Sequence, residues 1–585
     1  MVGCTLRVSP GPRRSAITTT TERTDGSGAP RSGQRTTTDA ITRDIVRGDG
    51  PTHPPGLTPA KAALALLSHP GSVARHGLRW AGELGQIVAG RSEVEAGGDK
   101  RFKDPAWRHN PALHRLLQAY VATGRTIDEL IDDADLDRRT QERLRFVAGN
   151  VLEALSPSNF PLTNPTVLKA AVDSGGTHFL RGLRNLVGDL RSGSLLPSTV
   201  DASRFTVGED LATTPGAVVA RTEVFELIQY DPQTEQVREA PLLLVPQMIN
   251  KYYIADLAPG KSLLEYAVAR GQQVFAISWR NPDGRHADWD LDTYADAVLT
   301  ALDAVEDVTG SSSTQLMGLC AGGTLSAMVL GHLAATGRQD RIAGLVLSVT
   351  VLDWAEAGTH GAFLDRFTAA AAMAESSRKG YLDGGGLAAM FSFLRPTDMI
   401  WNFWINNYLL GQDPPAWDVL YWNQDQTNMP AALHRDFVQM GLENPLTRPG
   451  AITVLGTPID LSAVTVDSYL VGAVDDHIAP WRNVYATTRL LGAEPRFVLS
   501  TSGHVVATVN PPEESSASFE TRDNNPADPD DWRAGATTTE GSWWPHWAAW
   551  LGERSGAWRP APSSPGSAAH PVLGKAPGEY VRETT

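Results

Sequence analysis

Cys320 stands in Gly318-Leu319-Cys320-Ala321-Gly322, a thiol between two glycines where an extended stretch gives way to a helical one. This is a nucleophile-elbow pattern: one side chain exposed on a sharp strand-to-helix turn, with small neighbours where the backbone passes close to itself. Thr314-Gln315-Leu316-Met317 before the turn is short and able to extend, and residues 321–330 after it read as a helix. A helix N-terminus beside the sulfur favours the thiolate, so the chemistry indicated is acyl transfer on a thioester. A free cysteine is more often a buried apolar side chain. Here the five-residue spacing and its flanks favour a nucleophile, provided that an acid and a base follow downstream.

Such a nucleophile requires a carboxylate and then a histidine later in the chain. Asp476, in Val474-Asp475-Asp476-His477-Ile478, follows an apolar run, and so does His504 in Ser502-Gly503-His504. Asp476 is favoured over Asp475. His504 is favoured over His477, because the general base must reach Cys320 from the top of the last strand. His477 reads as a side chain that helps to fix the acid-bearing loop, and Asp353 is a weaker third carboxylate. The Ala321 amide is the expected first oxyanion donor, and a second is expected from Pro246-Gln247-Met248-Ile249-Asn250. If the substrate is an acyl thioester of coenzyme A, transfer to Cys320 exchanges one thioester for another, so the acyl group stays activated for a hydroxyl acceptor.

These residues need a sheet to hold them. Short apolar runs bounded by turns at 242–245, 274–278, 315–318, 344–349, 468–472 and 496–499 alternate with helical patterns, which predicts a mostly parallel sheet over 206–585. The alternation lapses at about 354–445, a stretch carrying Phe391, Phe393, Trp401, Phe403, Trp404, Tyr408, Trp417, Tyr421 and Trp422. It reads as a cap, whose rings either shield a reacting acyl group from water or form the cap's own core. Arg395, ahead of the main aromatic cluster, reads as a solvated surface arginine, with a phosphate contact as the alternative. Residues 513–540 read as an exposed polar loop and 556–585 as an extended tail, lying on the body or free in solvent.

Residues 56–205 predict an α-helical N-terminal domain: Leu113, Leu116, Leu117, Tyr120 and Val121 share one face, as do Phe179, Leu183, Leu186 and Leu190. Ser156-Pro157-Ser158-Asn159-Phe160 marks a turn between helices. Residues 1–55, rich in Thr, Arg, Ser, Gly and Pro, are expected to be disordered. A chain of 585 residues with a net charge of -15 is too acidic for a generic nucleic-acid binder. Two cysteines, Cys4 and Cys320, give no disulfide framework, and neither a transmembrane run nor a secretory leader is evident, so a cytoplasmic protein is expected.

With elbow, acid and base in place, the chain resembles the polyhydroxyalkanoate synthases, the poly(3-hydroxyalkanoate) polymerases of the single-subunit type. The resemblance runs from about Phe102 to Val581. It is carried by Phe102-Lys103-Asp104-Pro105-Ala106-Trp107, Ile249-Asn250-Lys251-Tyr252-Tyr253, Ile277-Ser278-Trp279-Arg280-Asn281-Pro282, the Cys320 elbow, Tyr421-Trp422-Asn423, Asp476-His477-Ile478 and Gly541-Ser542-Trp543-Trp544. It implies an α/β-hydrolase fold with a cap insertion, and an enzyme that polymerises (R)-3-hydroxyacyl-CoA with release of coenzyme A. It also implies Cys320 as the acylated nucleophile, His504 as its base, and Asp476 as a carboxylate acting through or beside His504. A homodimer attached to the growing polyester chain and its granule surface is implied too. No metal or organic cofactor is expected, coenzyme A being part of the substrate and a product. Pro246-Gln247-Met248 and Asn444-Pro445-Leu446 look closer to the medium-chain type, whereas chain length resembles the short-chain type.

Overall fold

Strands buried on both faces are mostly apolar, and the runs anticipated from the sequence are so apart from the buried Ser278, Gln315, Ser348 and Ser468. In the computed structural model, which describes residues 70–355, 366–513 and 517–584, they form the centre of one mixed sheet. The strands are β1 (Gly216–Arg221), β2 (Phe225–Tyr230), β3 (Leu242–Val245), β4 (Val274–Trp279), β5 (Thr314–Leu319), β6 (Ile342–Ser348), β7 (Ser468–Ala473), β8 (Arg496–Ser500), β9 (Ser518–Thr521), β10 (Thr537–Glu540) and β11 (Gly574–Lys575). Among the described residues their order is β10-β9-β8-β7-β6-β5-β3-β4-β2-β1-β11. Neighbours from β4 through β3, β5, β6 and β7 to β8 are parallel. The wings pair antiparallel. One apolar layer covers each face, with Leu243, Leu316 and Leu345 in one and Leu244, Met317 and Val346 in the other, as a period of two requires. This is an α/β-hydrolase architecture with an N-terminal helical region.

One of the two polar stretches differs from its sequence reading. The polar stretch 513–540 holds β9 and β10, which extend the sheet beyond β8, and a short helix, Pro529–Ala534. β10 is the edge strand, and its Thr537 to Glu540 are all exposed, so no apolar pattern is needed there. The helix is fixed by Trp532, fully buried and edge-to-face with Phe497. The C-terminal stretch 556–585 lies on the body over its described part, one of the two arrangements anticipated: Trp558–Pro560 pairs with Gln236–Arg238, and β11 pairs with β1. The carboxylate of Glu226, at the core end of this contact, accepts from the amides of Glu579 and Tyr580 at 2.8 and 2.9 Å. The expected disordered segment 1–55, with Cys4, lies outside the described residues.

The N-terminal region is helical: α1 (Pro70–Val88), α2 (Pro111–Asp132), α3 (Arg138–Ala154), α4 (Pro165–Asp173) and α5 (Thr177–Arg191). Asn110 and Asn164 cap α2 and α4, each accepting from two amides of the first turn ahead of a proline. Leu113, Leu117, Tyr120 and Val121 of α2 pack on Phe102 and Trp107 as their spacing predicts, whereas Leu116, expected on the same face, is exposed. Helix α5 is turned the other way. It buries His178, Gly182 and Asp189 and leaves Leu183 57% and Leu190 52% exposed. The reason lies in the cap. A Cβ on Gly182 would sit 1.9 Å from the Tyr408 carbonyl oxygen, so this face is the one on which the cap backbone can close. Asp189 then accepts from the Tyr408 hydroxyl at 2.7 Å, and Asn185 donates to the carbonyls of Asn407 and Gln412.

The cap itself carries two π-helical turns, Thr397–Trp401 and Trp404–Leu409, between the helices Gly384–Leu394 and Asp418–Gln424. Its aromatics divide: Phe403, Tyr408 and Trp422 are buried, whereas Trp417 is exposed.

Candidate active site

The sulfur at 320 is set by two strained backbone positions. Cys320 has φ 50° and ψ −120°, and Val349, at the end of neighbouring β6, has φ 46°. Left-handed φ values at non-glycine residues cost about 1–3 kcal/mol each and persist where surrounding contacts hold them. Those contacts are present: the Cys320 amide donates to the Ser348 carbonyl at 2.9 Å, and the Thr350 hydroxyl donates to the Cys320 carbonyl at 3.3 Å. The glycines are sterically required. A Cβ on Gly318 would lie 2.4 Å from the Gly323 Cα, and one on Gly322 would lie 2.3 Å from the Val245 carbonyl oxygen. Helix α6 (Ala321–Ala335) begins immediately after the thiol. Ala321 is its first residue, so its amide stands outside the helical hydrogen-bond ladder.

Asp476 and His504 meet from the ends of β7 and β8. The His504 Nδ1 to Asp476 Oδ2 distance is 2.7 Å, and the other carboxylate oxygen accepts from the amides of Ile478 and Ala479 at 2.8 and 2.7 Å. The Asp476 side chain has no solvent exposure and that of His504 has 12%. Burial opposes the charged imidazole. The Asp476 and Cys320 charges, with hydrogen bonds to both groups, outweigh it and lift the His504 pKa to about 10. The three groups thus form one chain, sulfur to imidazole to carboxylate, with the acid locked by its own loop.

The remaining candidates fall elsewhere. Asp475 is exposed, with its amide on the Ser502 carbonyl, and His477 is partly buried in the same loop. Asp353 closes the base of the cap: it accepts from Asn444 Nδ2 at 2.8 Å, while Asn444 Oδ1 accepts from the Trp354 amide. Arg395 pairs with Asp398 on the cap surface. The loop after β3 lies against the elbow, since the Cβ that Gly322 lacks would also meet the Pro246 carbonyl oxygen at 2.4 Å. Sequence reasoning passed over Gly323 and Thr350. A Cβ on Gly323 would come within 2.0 Å of the Thr350 hydroxyl, and the adjacent Gly322-Gly323 pair was the available signal. Among the described residues no group of three or more His, Cys, Asp or Glu is placed to hold a metal ion. None of the described helices is long and apolar enough to cross a membrane.

Two family descriptions match the chain: "Poly-beta-hydroxybutyrate polymerase (PhaC) N-terminus" over residues 98–267, and "alpha/beta hydrolase fold" over residues 240–511. Poly(3-hydroxyalkanoate) polymerase 1 of Ectopseudomonas oleovorans is 43% identical over 511 residues, which is 87% of this chain and 91% of that one. The poly(3-hydroxyalkanoate) polymerase subunit PhaC of Cupriavidus necator is 38% identical over 544 residues, covering 90% of this chain and 91% of its own length. A solved hydrolase from Pseudomonas aeruginosa PA01 covers 50% of this chain and 91% of its own, with 18% identity and a TM-score of 0.28.

Proposed function

This chain belongs to the poly(3-hydroxyalkanoate) polymerases, acyltransferases on an α/β-hydrolase fold, and from that membership we propose that it polymerises (R)-3-hydroxyacyl-CoA through a covalent thioester on Cys320. The observation that carries the reading is the chain from Cys320 through His504 to a fully buried Asp476. In the first half-reaction the Cys320 thiolate attacks the acyl carbonyl. The negative charge passes to the carbonyl oxygen, received by the Ala321 amide and a donor from 246–250. Collapse of the adduct breaks the carbon–sulfur bond to coenzyme A, and His504 returns a proton to the departing thiolate. In the second, His504 takes the proton of an acceptor 3-hydroxyl, whose oxygen attacks the Cys320 thioester, forms the ester and releases the sulfur.

A thiol suits this sequence because thioester exchange keeps the acyl group activated until the oxoester forms, and that step runs downhill. Asp476 acts through His504 in this scheme, since both of its oxygens are occupied, one by the imidazole and one by loop amides. Attachment to the polyester granule and a homodimeric state are part of the same proposal, by analogy with the family.

Cys320→Ala is expected to abolish both coenzyme A release and polymer formation. His504→Gln should come close to the same loss. Retained polymerisation in Cys320→Ala overturns the covalent scheme. Free hydroxyacid in place of insoluble polyester from the wild type makes water the acceptor and the chain a hydrolase.

A further inference from the structure

The loop 246–250, which faces the elbow, is tied at both ends. At its start the Trp279 indole donates to the Pro246 carbonyl at 2.9 Å. Beyond its far end stands Lys251, only 3% exposed. Three separate segments converge there. The Lys251 ammonium donates to the Glu583 carbonyl of the C-terminal segment. The Trp422 indole, from the base of the cap, donates to the Lys251 carbonyl at 2.8 Å, and Asn250 forms a β-bridge with Gln426. Tyr253 donates to Asp425 at 2.9 Å, and Glu583 is itself held by the Asn281 amide at 3.0 Å and by Arg280.

A buried ammonium is a costly way to fill space. A methionine of similar length would occupy the site without desolvating a charge, and such replacements are often neutral or stabilising when the partner charge is removed as well. What the charge adds is direction. It demands an acceptor at one point in space, and so couples the loop to the C-terminal segment, while Trp422, Gln426 and the Tyr253–Asp425 bond join the same stretch to the cap base. Burial weakens the basicity of Lys251, while the charges of Asp425 and Glu583 support it.

We infer that Lys251 is a positioning residue for the oxyanion loop: its tie to Glu583 fixes where the amides of 246–250 stand relative to Cys320. This rests on the acyl-transfer reading of Cys320. Lys251 touches neither substrate nor sulfur and acts through the loop backbone alone. Its loss therefore affects the step that develops an oxyanion and spares a reaction of the same sulfur that develops none.

The test compares two reactions of Cys320 in the full chain. One is acylation, followed by coenzyme A release from (R)-3-hydroxybutyryl-CoA in the first turnover. The other is alkylation by iodoacetamide, followed by mass on the Cys320 peptide, which needs the thiolate and no oxyanion donor. Lys251→Met is compared with Lys251→Met/Asp425→Asn, which leaves no orphaned charge and keeps an acceptor for Tyr253. In the double variant acylation should slow by about ten- to a hundredfold, carried in kcat with KM within about twofold, and alkylation should stay within about twofold. Unchanged acylation, or alkylation slowed to the same extent, overturns the inference. A wild type that alkylates at Cys320 yet releases no coenzyme A sinks the acyl-transfer reading instead, and the two failures are distinct.

Discussion

Asn444 donates through Nδ2 to Oδ1 of Asp353 at 2.8 Å, joining the two ends of the cap by one residue from each. Asn444 has φ 49°, a conformation that asparagine tolerates and alanine does not. Asn444→Ala should therefore destabilise by about 2–3 kcal/mol, from left-handed strain together with the lost bonds to Asp353 and Trp354. Asn444→Gly relieves the strain alone and should recover about 1 kcal/mol. Thermal unfolding measures the difference, and hydrogen exchange over Ala431–Glu443 locates it.

Asp476 accepts three donors, two on one oxygen and one on the other, so an amide cannot replace it without turning its NH2 toward a donor. Asp476→Asn should lower kcat by about 10²–10⁴ and slow elongation more than the first acylation. Asp475 is exposed and Asp475→Asn should stay within about twofold. Single-turnover and steady-state coenzyme A release separate the two steps. Equal damage from Asp475→Asn would mean that the wrong carboxylate has been assigned.

The His504 pKa is raised from 6.5 to about 10. A raised folded-state value means that proton binding favours the native state: the contribution is complete below about pH 6.5 and fades as pH climbs through about 10. Melting temperatures at pH 6 and pH 10 should therefore fall further in the wild type than in His504→Gln. Cys320→Ala removes one of the raising interactions, so the imidazole resonances of His504 should titrate at lower pH than in the wild type. Identical titration in the two proteins would show that sulfur and imidazole are not coupled.

Much of this site was legible because its chemistry is local in sequence. The Gly318–Gly322 spacing encodes the elbow. Asp476 and His504 each follow an apolar run that becomes a strand, so their meeting follows from strand order. What escaped was the part made by edges and by segments distant in the chain. β9 and β10 pair at the rim, where no apolar alternation is needed, so Thr537 to Glu540 read as loop. The exposed Leu183 and Leu190 were misleading in another way: they signal a helix correctly, but the packing face is chosen by Gly182 against Tyr408, over 200 residues away. Lys251 lies in a quoted motif, yet its partner Glu583 lies 332 positions on, a contact that no local pattern announces.

The glycines of the elbow yield a final test, because their neighbours differ in kind. The atoms nearest to a Cβ on Gly322 would be main-chain ones, the carbonyl oxygens of Val245 and Pro246 at 2.3 and 2.4 Å. No rotamer change relieves that, so Gly322→Ala must push the end of β3 and the loop 246–250 off the elbow. Overpacking should cost about 1–3 kcal/mol. A displacement near 1 Å at the oxyanion loop should cost about a hundredfold in kcat. A Cβ on Gly323 instead meets the Thr350 side chain, its hydroxyl at 2.0 Å. Gly323→Ala should therefore be partly rescued by Thr350→Ala, in melting temperature and in coenzyme A release alike. No truncation of a single neighbouring side chain should rescue Gly322→Ala, and a variant that did so would mean that the loop is not seated against the elbow backbone.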